Sequence, residues 1–289
     1  MADIEAQRNR GTRLRWQRLS WGALTLYSIA FFAFIYLPLV LIFVVSFNAN
    51  PVNMMAWKGF TLDWYRNIIG LKTQLNESAL YLESTDQLLA AVRTSLIVAV
   101  TAVTVSTILG TATALAIYRF RFRLRRFYQM LMYMPMIMSD IVLGISLLIF
   151  FVGFGMSLGL STIIVGHCTF LSSYVFIVVS ARLAGMDGTH EEASADLGAN
   201  EWTTFRRVTL PLIAPGVVGG AMLAFIISLD DLVITYFISG PNATTLPVFI
   251  YGMLRRGIKP EIAAIASMMV LFSLIVAAIG IYVRSRGRD

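Results

Sequence analysis

The chain has 289 residues, of which 57% are hydrophobic and only 13% are charged. A soluble domain carries about 25% charged residues, so this composition excludes an ordinary globular protein and predicts a largely lipid-embedded one. The net charge of +7 does not indicate a nucleic-acid partner, because the arginines cluster at the ends of apolar runs. The single cysteine, Cys168, excludes a disulfide framework or a thiolate metal site within the chain, and we expect no bound metal.

Successive apolar runs predict an all-α, polytopic membrane protein with six transmembrane helices. Each run is close to the ~20 residues that cross the hydrocarbon core as a helix, and some are longer. The fourth run is the least apolar, because serine, threonine and histidine side chains interrupt it. The predicted spans are residues 22–46, 89–118, 128–152, 158–183, 215–238 and 261–283.

The arginines predict the orientation. They cluster before the first span, between the second and third spans, and after the last span, which are all on one side of a six-span protein. We therefore expect both termini in the cytoplasm, with a basic N-terminus at 1–21, a membrane domain at 22–283 and a C-terminal tail at 284–289. The first run is about twice as long as a signal-peptide core, so we interpret it as an uncleaved span. Arg255, Arg256 and Lys259 fall in an outer loop, against the rule.

The outer segment at 47–88 is the longest stretch outside the predicted spans. Its aromatic and aliphatic residues indicate a piece that lies at the membrane interface, since tryptophan and tyrosine prefer headgroup depth. Contact with an external partner remains an alternative. The residues concerned are Trp57, Phe60, Leu62, Trp64 and Tyr65.

A polar segment at 189–215 separates the fourth and fifth spans and falls on the cytoplasmic side. Thr189 is a candidate N-cap for a helix over 191–197, and Gly198 is a candidate stop. A second short helix is predicted from Glu201 to about Val208, with Trp202, Phe205 and Val208 on one stripe, followed by Pro211 and Pro215. These residues alone fit either an amphipathic linker on the membrane surface or a docking site for a soluble partner.

The spacing within this segment carries a resemblance. Glu192-Ala193-Ser194 is followed after three residues by Gly198 and after nine more by Val208-Thr209-Leu210-Pro211. This resembles the coupling loop, or EAA motif, of inner-membrane permeases of ABC importers, with Ser194 and Val208 as conservative departures. The resemblance implies a type I ABC-importer permease fold and a loop that docks on a cytoplasmic ATPase. The coupling residues it implies are Glu191, Glu192, Ala193, Ser194, Gly198, Leu210 and Pro211.

No Walker A sequence occurs in the chain, so we expect a non-catalytic subunit. ATP and Mg²⁺ would then be bound by a partner ATPase, and this chain would hold no cofactor of its own. The sequence also has no HExxH pattern, and its two histidines, His167 and His190, are not grouped with a serine and an aspartate, which argues against a membrane-embedded enzyme. A secondary transporter or channel that works alone would show inverted repeats, and none is evident.

Three aspartates lie within the predicted spans: Asp140 in the third, and Asp230 and Asp231 in the fifth. An aspartate at mid-span costs about 2.5–3.5 kcal/mol on insertion scales, so these side chains are expected to face a bundle interior or a water-filled cavity. Pro135 loosens the helix before Asp140. An anionic cavity favours a cation, and separated carboxylates favour one with more than one amine. The alternative is that the aspartates cap a helix break or bond to a partner subunit.

A second resemblance concerns these acids. The run Ser228-Leu-Asp230-Asp231-Leu-Val-Ile, with Ser239-Gly240-Pro241 and Thr244-Thr245-Leu246-Pro247, is similar to the spermidine/putrescine permeases, as is Asp140-Ile-Val-Leu-Gly144. The resemblance implies that Asp140, Ser228, Asp230 and Asp231 help to move a polyamine. It also implies a homologous permease subunit, two ATPase subunits and a periplasmic or extracellular solute-binding protein as partners. Relatives that carry opines or other amines share much of the pattern.

His167, in the fourth predicted span, is interpreted as a packed, hydrogen-bonded residue.

Overall fold

The computed structural model describes residues 2–50, 56–69, 71, 79–186, 188–241, 243–255 and 260–286. Within these ranges the regular structure is helical, apart from an isolated antiparallel bridge between Asn48 and Phe60. The helices are α1 (Ala2–Val45), α2 (Asp63–Ile68), α3 (Ala79–Arg119), α4 (Arg125–Ile137), α5 (Asp140–Gly153), α6 (Leu160–Ala184), α7 (Thr189–Asp196), α8 (Glu201–Thr204), α9 (Leu210–Asp230), α10 (Val233–Ile238), α11 (Leu246–Arg255) and α12 (Pro260–Arg286).

Five helices in the described ranges are long and apolar enough to cross a membrane, and α4 with α5 makes a sixth if the pair counts as one span. The predicted polytopic all-α architecture is therefore confirmed. The third predicted span is not one straight helix, because the axes of α4 and α5 meet at 109°. The α4 helix continues through Pro135 and ends at Ile137, and Met138 and Ser139 are extended before Asp140 opens α5.

The chain divides into two compact units, Met1–Trp64 with Lys259–Ser267 and Tyr65–Ile258 with Met268–Asp289. In the first unit, the Trp64 indole N–H donates to the Asn48 carbonyl at 2.9 Å, and the side chain is 1% exposed. Trp57, Phe60 and Leu62 are exposed, as expected of interfacial residues, whereas Trp64 is buried. Arg256 and Lys259, two of the cations predicted in an outer loop against the positive-inside rule, lie outside the described residues.

Helix α6 is the centre of the second unit, where it contacts α3, α4, α5, α9 and α10. Polar residues make the fourth predicted span the least apolar of the six. In the structure most of these residues are buried. Because they face other helices instead of lipid, they do not prevent α6 from spanning. The buried members are Thr162, His167, Ser172 and Ser173.

Glycine allows α3 and α6 to approach closely. A Cβ added to Gly110 would lie 2.8 Å from the Ser172 carbonyl oxygen and 3.0 Å from the Phe176 nitrogen. Both are backbone atoms of α6, so they cannot rotate away from a new side chain. The contact therefore requires glycine at this position, in the way that small residues allow close packing of membrane helices.

We predict that Gly110→Ala destabilises the protein by about 1–3 kcal/mol, because the added methyl group would separate two packed helices. Thermal unfolding of the purified protein in detergent measures the effect. Gly153→Ala in α5 is the matched control, since a Cβ there would meet nothing within 4 Å. Equal unfolding temperatures for the two variants would contradict the close approach.

Candidate functional site

The polar segment at 189–215, called the coupling segment below after its predicted role, forms two short helices joined by a tight turn. Gly198 has φ of 78°, a left-handed conformation that glycine adopts without strain. The Ala199 N–H donates to the Ser194 carbonyl at 3.1 Å and the Gly198 N–H donates to the Ala195 carbonyl at 2.9 Å, which is the Schellman pattern of a helix C-terminus. The predicted stop at Gly198 is therefore confirmed. Thr189 is the first residue of α7 and not its cap, which Gly188 provides.

The second helix of the coupling segment differs from its prediction. The Asn200 side chain caps α8 by accepting from the Thr203 N–H at 2.8 Å. A π turn at Phe205–Thr209 then leads directly into α9, so that the helical path has no break before the fifth span. Pro211 lacks an N–H group and crowds the carbonyl of the preceding turn, and the wider turn before it accommodates this without ending the helix.

The outer face of the coupling segment is small and apolar at its centre. Ala193, Ala195 and Gly198 are exposed. Two large side chains flank them, with Leu197 89% exposed and Trp202 67% exposed. Exposed aliphatic and aromatic side chains beside small residues are typical of a surface that another protein covers.

The two adjacent glutamates of the coupling segment face different surroundings. Glu192 is exposed. Glu191 is half-buried and accepts from the Arg119 guanidinium at 3.0 Å and from the Thr209 hydroxyl. Arg119 ends α3 and Thr209 ends the π turn before α9, so Glu191 ties α7 to two membrane helices. A second link joins the Ser194 and Thr204 hydroxyls at 2.9 Å.

Sequence reasoning did not identify Arg119 or Thr209 as partners of the coupling segment. Arg119 is one of the arginines between the second and third predicted spans, and Thr209 lies within the Val208–Pro211 part of the motif. No spacing rule links Arg119 to Glu191, because they are separated by 72 positions in the chain. The remaining coupling residues, Leu210 and Pro211, are exposed at the start of α9.

A second break interrupts the fifth predicted span. Helix α9 ends at Asp230, and α10 begins at Val233. Asp231 is extended and turns its carboxylate back onto α10, where Oδ2 accepts from the Thr235 N–H at 2.8 Å and Oδ1 from the Ile234 N–H at 3.3 Å. The aspartate therefore satisfies N–H groups that the helix start leaves open.

A buried imidazole spans this break. His167 of α6 is 0% exposed. Its Nδ1 lies 2.9 Å from the Ser228 hydroxyl on α9, and its Nε2 lies 2.8 Å from the Thr235 hydroxyl on α10 and 3.4 Å from Asp231 Oδ2. The interpretation of His167 as a packed, hydrogen-bonded residue is confirmed.

The hydrogen bonds assign the histidine tautomer. The Thr235 hydroxyl donates its one hydrogen to Asp231 Oδ2 at 2.6 Å, since an ionised carboxylate can only accept. Thr235 Oγ1 must then accept from His167, so Nε2 carries a hydrogen, and Nδ1 lies against the Ser228 hydroxyl. The result is a hydrogen-bonded chain that joins Ser228, His167, Thr235 and Asp231, in which neighbouring groups polarise one another.

The four predicted solute-path residues thus divide into two pairs. Ser228 is buried, the Asp231 side chain is 8% exposed, and both belong to the hydrogen-bonded chain. Asp140 and Asp230 are exposed at the α4–α5 and α9–α10 breaks. Their assignment to a solute path stays a prediction. Among the described residues, no group of histidine, cysteine and acidic side chains has the arrangement of a metal site.

The two breaks adjoin one another. Gly144 of α5 lies beside Ile234 and Phe237 of α10, and Leu147, one turn later, converges with Ile238 on Gly166 of α6. The α5 and α10 helices therefore run in the same direction. Asp140 opens α5, so it lies at the end of that helix next to the α9–α10 break.

Comparisons with known proteins identify the family of the chain. The family model described as "Binding-protein-dependent transport system inner membrane component" matches residues 106–288. The chain is 37% identical over 246 residues to the spermidine/putrescine transport system permease protein PotC of Escherichia coli (strain K12), covering 85% of this chain and 88% of PotC. It is also 37% identical over 266 residues to the putrescine transport system permease protein PotI of the same strain, with 88% of each chain covered.

The fold is similar to solved ABC importers. A chain of a bacterial alginate ABC transporter, in complex with an alginate pentasaccharide-bound periplasmic protein, matches with a TM-score of 0.64 at 16% identity and covers 91% of this chain and 92% of that chain. At this identity the likeness shows the fold alone. The family model covers well over half of the sequence, and the helices supply a multi-pass protein of the inner membrane. The chain belongs to the family of binding-protein-dependent transport system inner membrane components.

Proposed function

We propose that this chain is the transmembrane permease subunit of an ATP-driven, binding-protein-dependent importer of polyamines such as putrescine and spermidine. The observation that carries the proposal is the 37% identity over most of the chain to two permease proteins named for those solutes. The alternative is the same machine importing opines or other amine or amino-acid solutes. The exposed coupling segment argues against a stand-alone secondary transporter or channel, because such a protein has no ATPase that would dock there.

The proposed assembly contains this chain, a homologous permease subunit, two ATPase subunits and an external solute-binding protein. The exposed face around Ala193, Gly198 and Trp202 supports a docking role toward an ATPase. The subunit itself is proposed to be non-catalytic, with ATP and Mg²⁺ bound by the ATPases. Glu192 would face the ATPase, whereas Glu191 would hold α7 to α3 and α9 through Arg119 and Thr209.

The acids support a cationic solute. Asp140 and Asp230 are both exposed, and they lie at neighbouring helix breaks. Carboxylates in surroundings of lower dielectric constant than water attract cations more strongly than they do in bulk water. Two separated carboxylates suit a solute with an amine at each end, which is the chemistry of putrescine.

The transport step follows from the length of α9. This helix begins at Leu210 in the coupling segment and ends at Asp230, and its 21 residues span about 30 Å at 1.5 Å per residue. Closure of the ATPases would displace the coupling segment, and α9 would carry that displacement to the acid at its other end. The binding protein then delivers its amine to the outward-facing path, and opening of the ATPases returns the path to the inside.

We predict that Gly198→Asp uncouples ATP hydrolysis from uptake while membrane insertion is unaffected. The added carboxylate would stand on the docking face, and the position requires a left-handed backbone. Uptake and ATP hydrolysis are measured on the reconstituted transporter. The matched control, Gly188→Asp, adds the same charge where φ is −65° and nothing lies within 4 Å of the new Cβ. Normal uptake by Gly198→Asp would contradict the docking role.

We predict that replacing both Asp230 and Asp231 with asparagine lowers putrescine uptake at least about tenfold, equivalent to about 1.4 kcal/mol. The Asp230→Asn change alone lowers uptake without lowering the amount of protein in the membrane, because this carboxylate makes no hydrogen bond to α10. Uptake of labelled putrescine into vesicles measures both effects. Asp86→Asn is the control, since it removes an exposed carboxylate elsewhere. Unchanged uptake in the double variant would overturn the assignment.

The solute itself is tested separately. The cognate external binding protein is screened against putrescine, spermidine, opines and basic amino acids by calorimetry. Tight binding of putrescine or spermidine alone supports the proposal, and tight binding of an opine favours the alternative.

A further inference from the structure

The two adjacent aspartates at the end of α9 have different environments. Asp230 is the last residue of α9 and is exposed. Asp231 lies in the break, its side chain is 8% exposed, and it accepts from the Thr235 N–H, the Ile234 N–H and the Thr235 hydroxyl. The difference in burial means that the two carboxylates cannot have the same role toward a cation that enters from the exposed side.

His167 acts on this arrangement from a different helix. Its ring lies between Ser228, three residues before Asp231, and Thr235, four residues after it. A single rigid side chain of α6 therefore fixes the end of α9 and the start of α10 at once. The Thr162 hydroxyl, also on α6, donates to the Ile238 carbonyl at 2.9 Å and holds the other end of α10.

Removing the imidazole would leave a specific set of groups unsatisfied. Thr235 Oγ1 would lose the N–H that it accepts, and the Asp231 carboxylate would lose the imidazole edge 3.4 Å away. The Thr235 hydroxyl would still donate to Asp231, but it would no longer be polarised or held in place by the ring. A buried carboxylate with fewer partners is less stable in its position, so the cap of α10 would be loosened.

We infer that His167 is a positioning residue for the solute path: by holding Thr235 and, through it, Asp231 as the cap of α10, it leaves Asp230 as the carboxylate that meets the solute. This inference rests on the proposed amine transport for the identity of the solute. The hydrogen-bonded arrangement that it assigns to His167 does not depend on that identity. Ser228 and Asp231 then affect transport through the shape of the break and not by touching the solute.

The test is a set of double-mutant cycles in the complete transporter. His167→Leu is expected to lower putrescine uptake about tenfold or more, whereas His167→Gln, which can place an amide N–H near the position of Nε2, stays within about threefold of the wild type. His167→Leu and Asp231→Asn are expected to be non-additive, because both break the same chain. His167→Leu is expected to lower uptake less in an Asp230→Asn background than in the wild type, because the carboxylate that His167 helps to present is already absent there.

The matched control is Ser173→Ala, which removes a buried α6 hydroxyl that has no hydrogen-bond partner among the described residues, and it is expected to transport normally. Thr235→Val and Thr235→Ser provide a second pair in case His167→Leu does not assemble. The serine variant keeps the hydroxyl that links His167 to Asp231 and should transport, and the valine variant should not. Full uptake by His167→Leu or by Thr235→Val, or additive effects of His167→Leu and Asp231→Asn on uptake, would overturn the inference.

The same cycles are measured by thermal unfolding of the purified transporter. Non-additive unfolding temperatures for His167→Leu and Asp231→Asn support the positioning role whatever the solute is. Additive unfolding temperatures overturn it, even if putrescine is transported. A wild-type transporter that ignores putrescine yet shows the non-additive unfolding pattern overturns the proposed solute and leaves His167 in its role.

Discussion

A helix that breaks within a membrane leaves backbone N–H and carbonyl groups that lipid cannot satisfy. The break between α9 and α10 is possible here because Asp231 supplies the missing acceptor and a histidine from α6 holds the aspartate in place. Buried charge is tolerated only when it is hydrogen-bonded, and the chain from Ser228 to Asp231 meets that requirement. The position of Asp230, and with it the proposed solute path, depends on this one set of hydrogen bonds.

Close packing around α6 makes that set possible. Gly166, the residue before His167, leaves space for the Ile238 side chain, and Gly144 leaves space for Phe237. Gly166 therefore lets α10 approach α6 closely enough for a histidine side chain to reach across the break, and Gly144 lets α5 approach α10. Small residues at helix contacts and polar side chains between helices are the two means by which membrane helices associate without a hydrophobic driving force. Both occur at the contacts of α6.

Much of the architecture could be predicted from the sequence because its signals are local. The lengths of the apolar runs predict the spans. The Schellman turn at Gly198 follows from a short helix that ends in glycine. The buried polar residues of α6 show why composition alone undervalues a helix that faces other helices. The break at Asp231 was weighed only as an alternative, since the sequence does not reveal that Thr235 and His167 complete the cap. The Arg119–Glu191 contact is likewise a product of the folded chain.

The coupling segment and Asp230, a proposed solute-path acid, are chemically unrelated, yet they lie at the two ends of α9. Without a break between the π turn and Asp230, a displacement at Leu210 is not absorbed along the way. Glu191 strengthens this connection at one end by binding Arg119 and Thr209, and His167 does so at the other by binding Ser228. A rigid element held at both ends has few intermediate positions, and packed interfaces of this kind change between discrete arrangements. In the proposed function, motion at the coupling segment would be transmitted as a change in where Asp230 points.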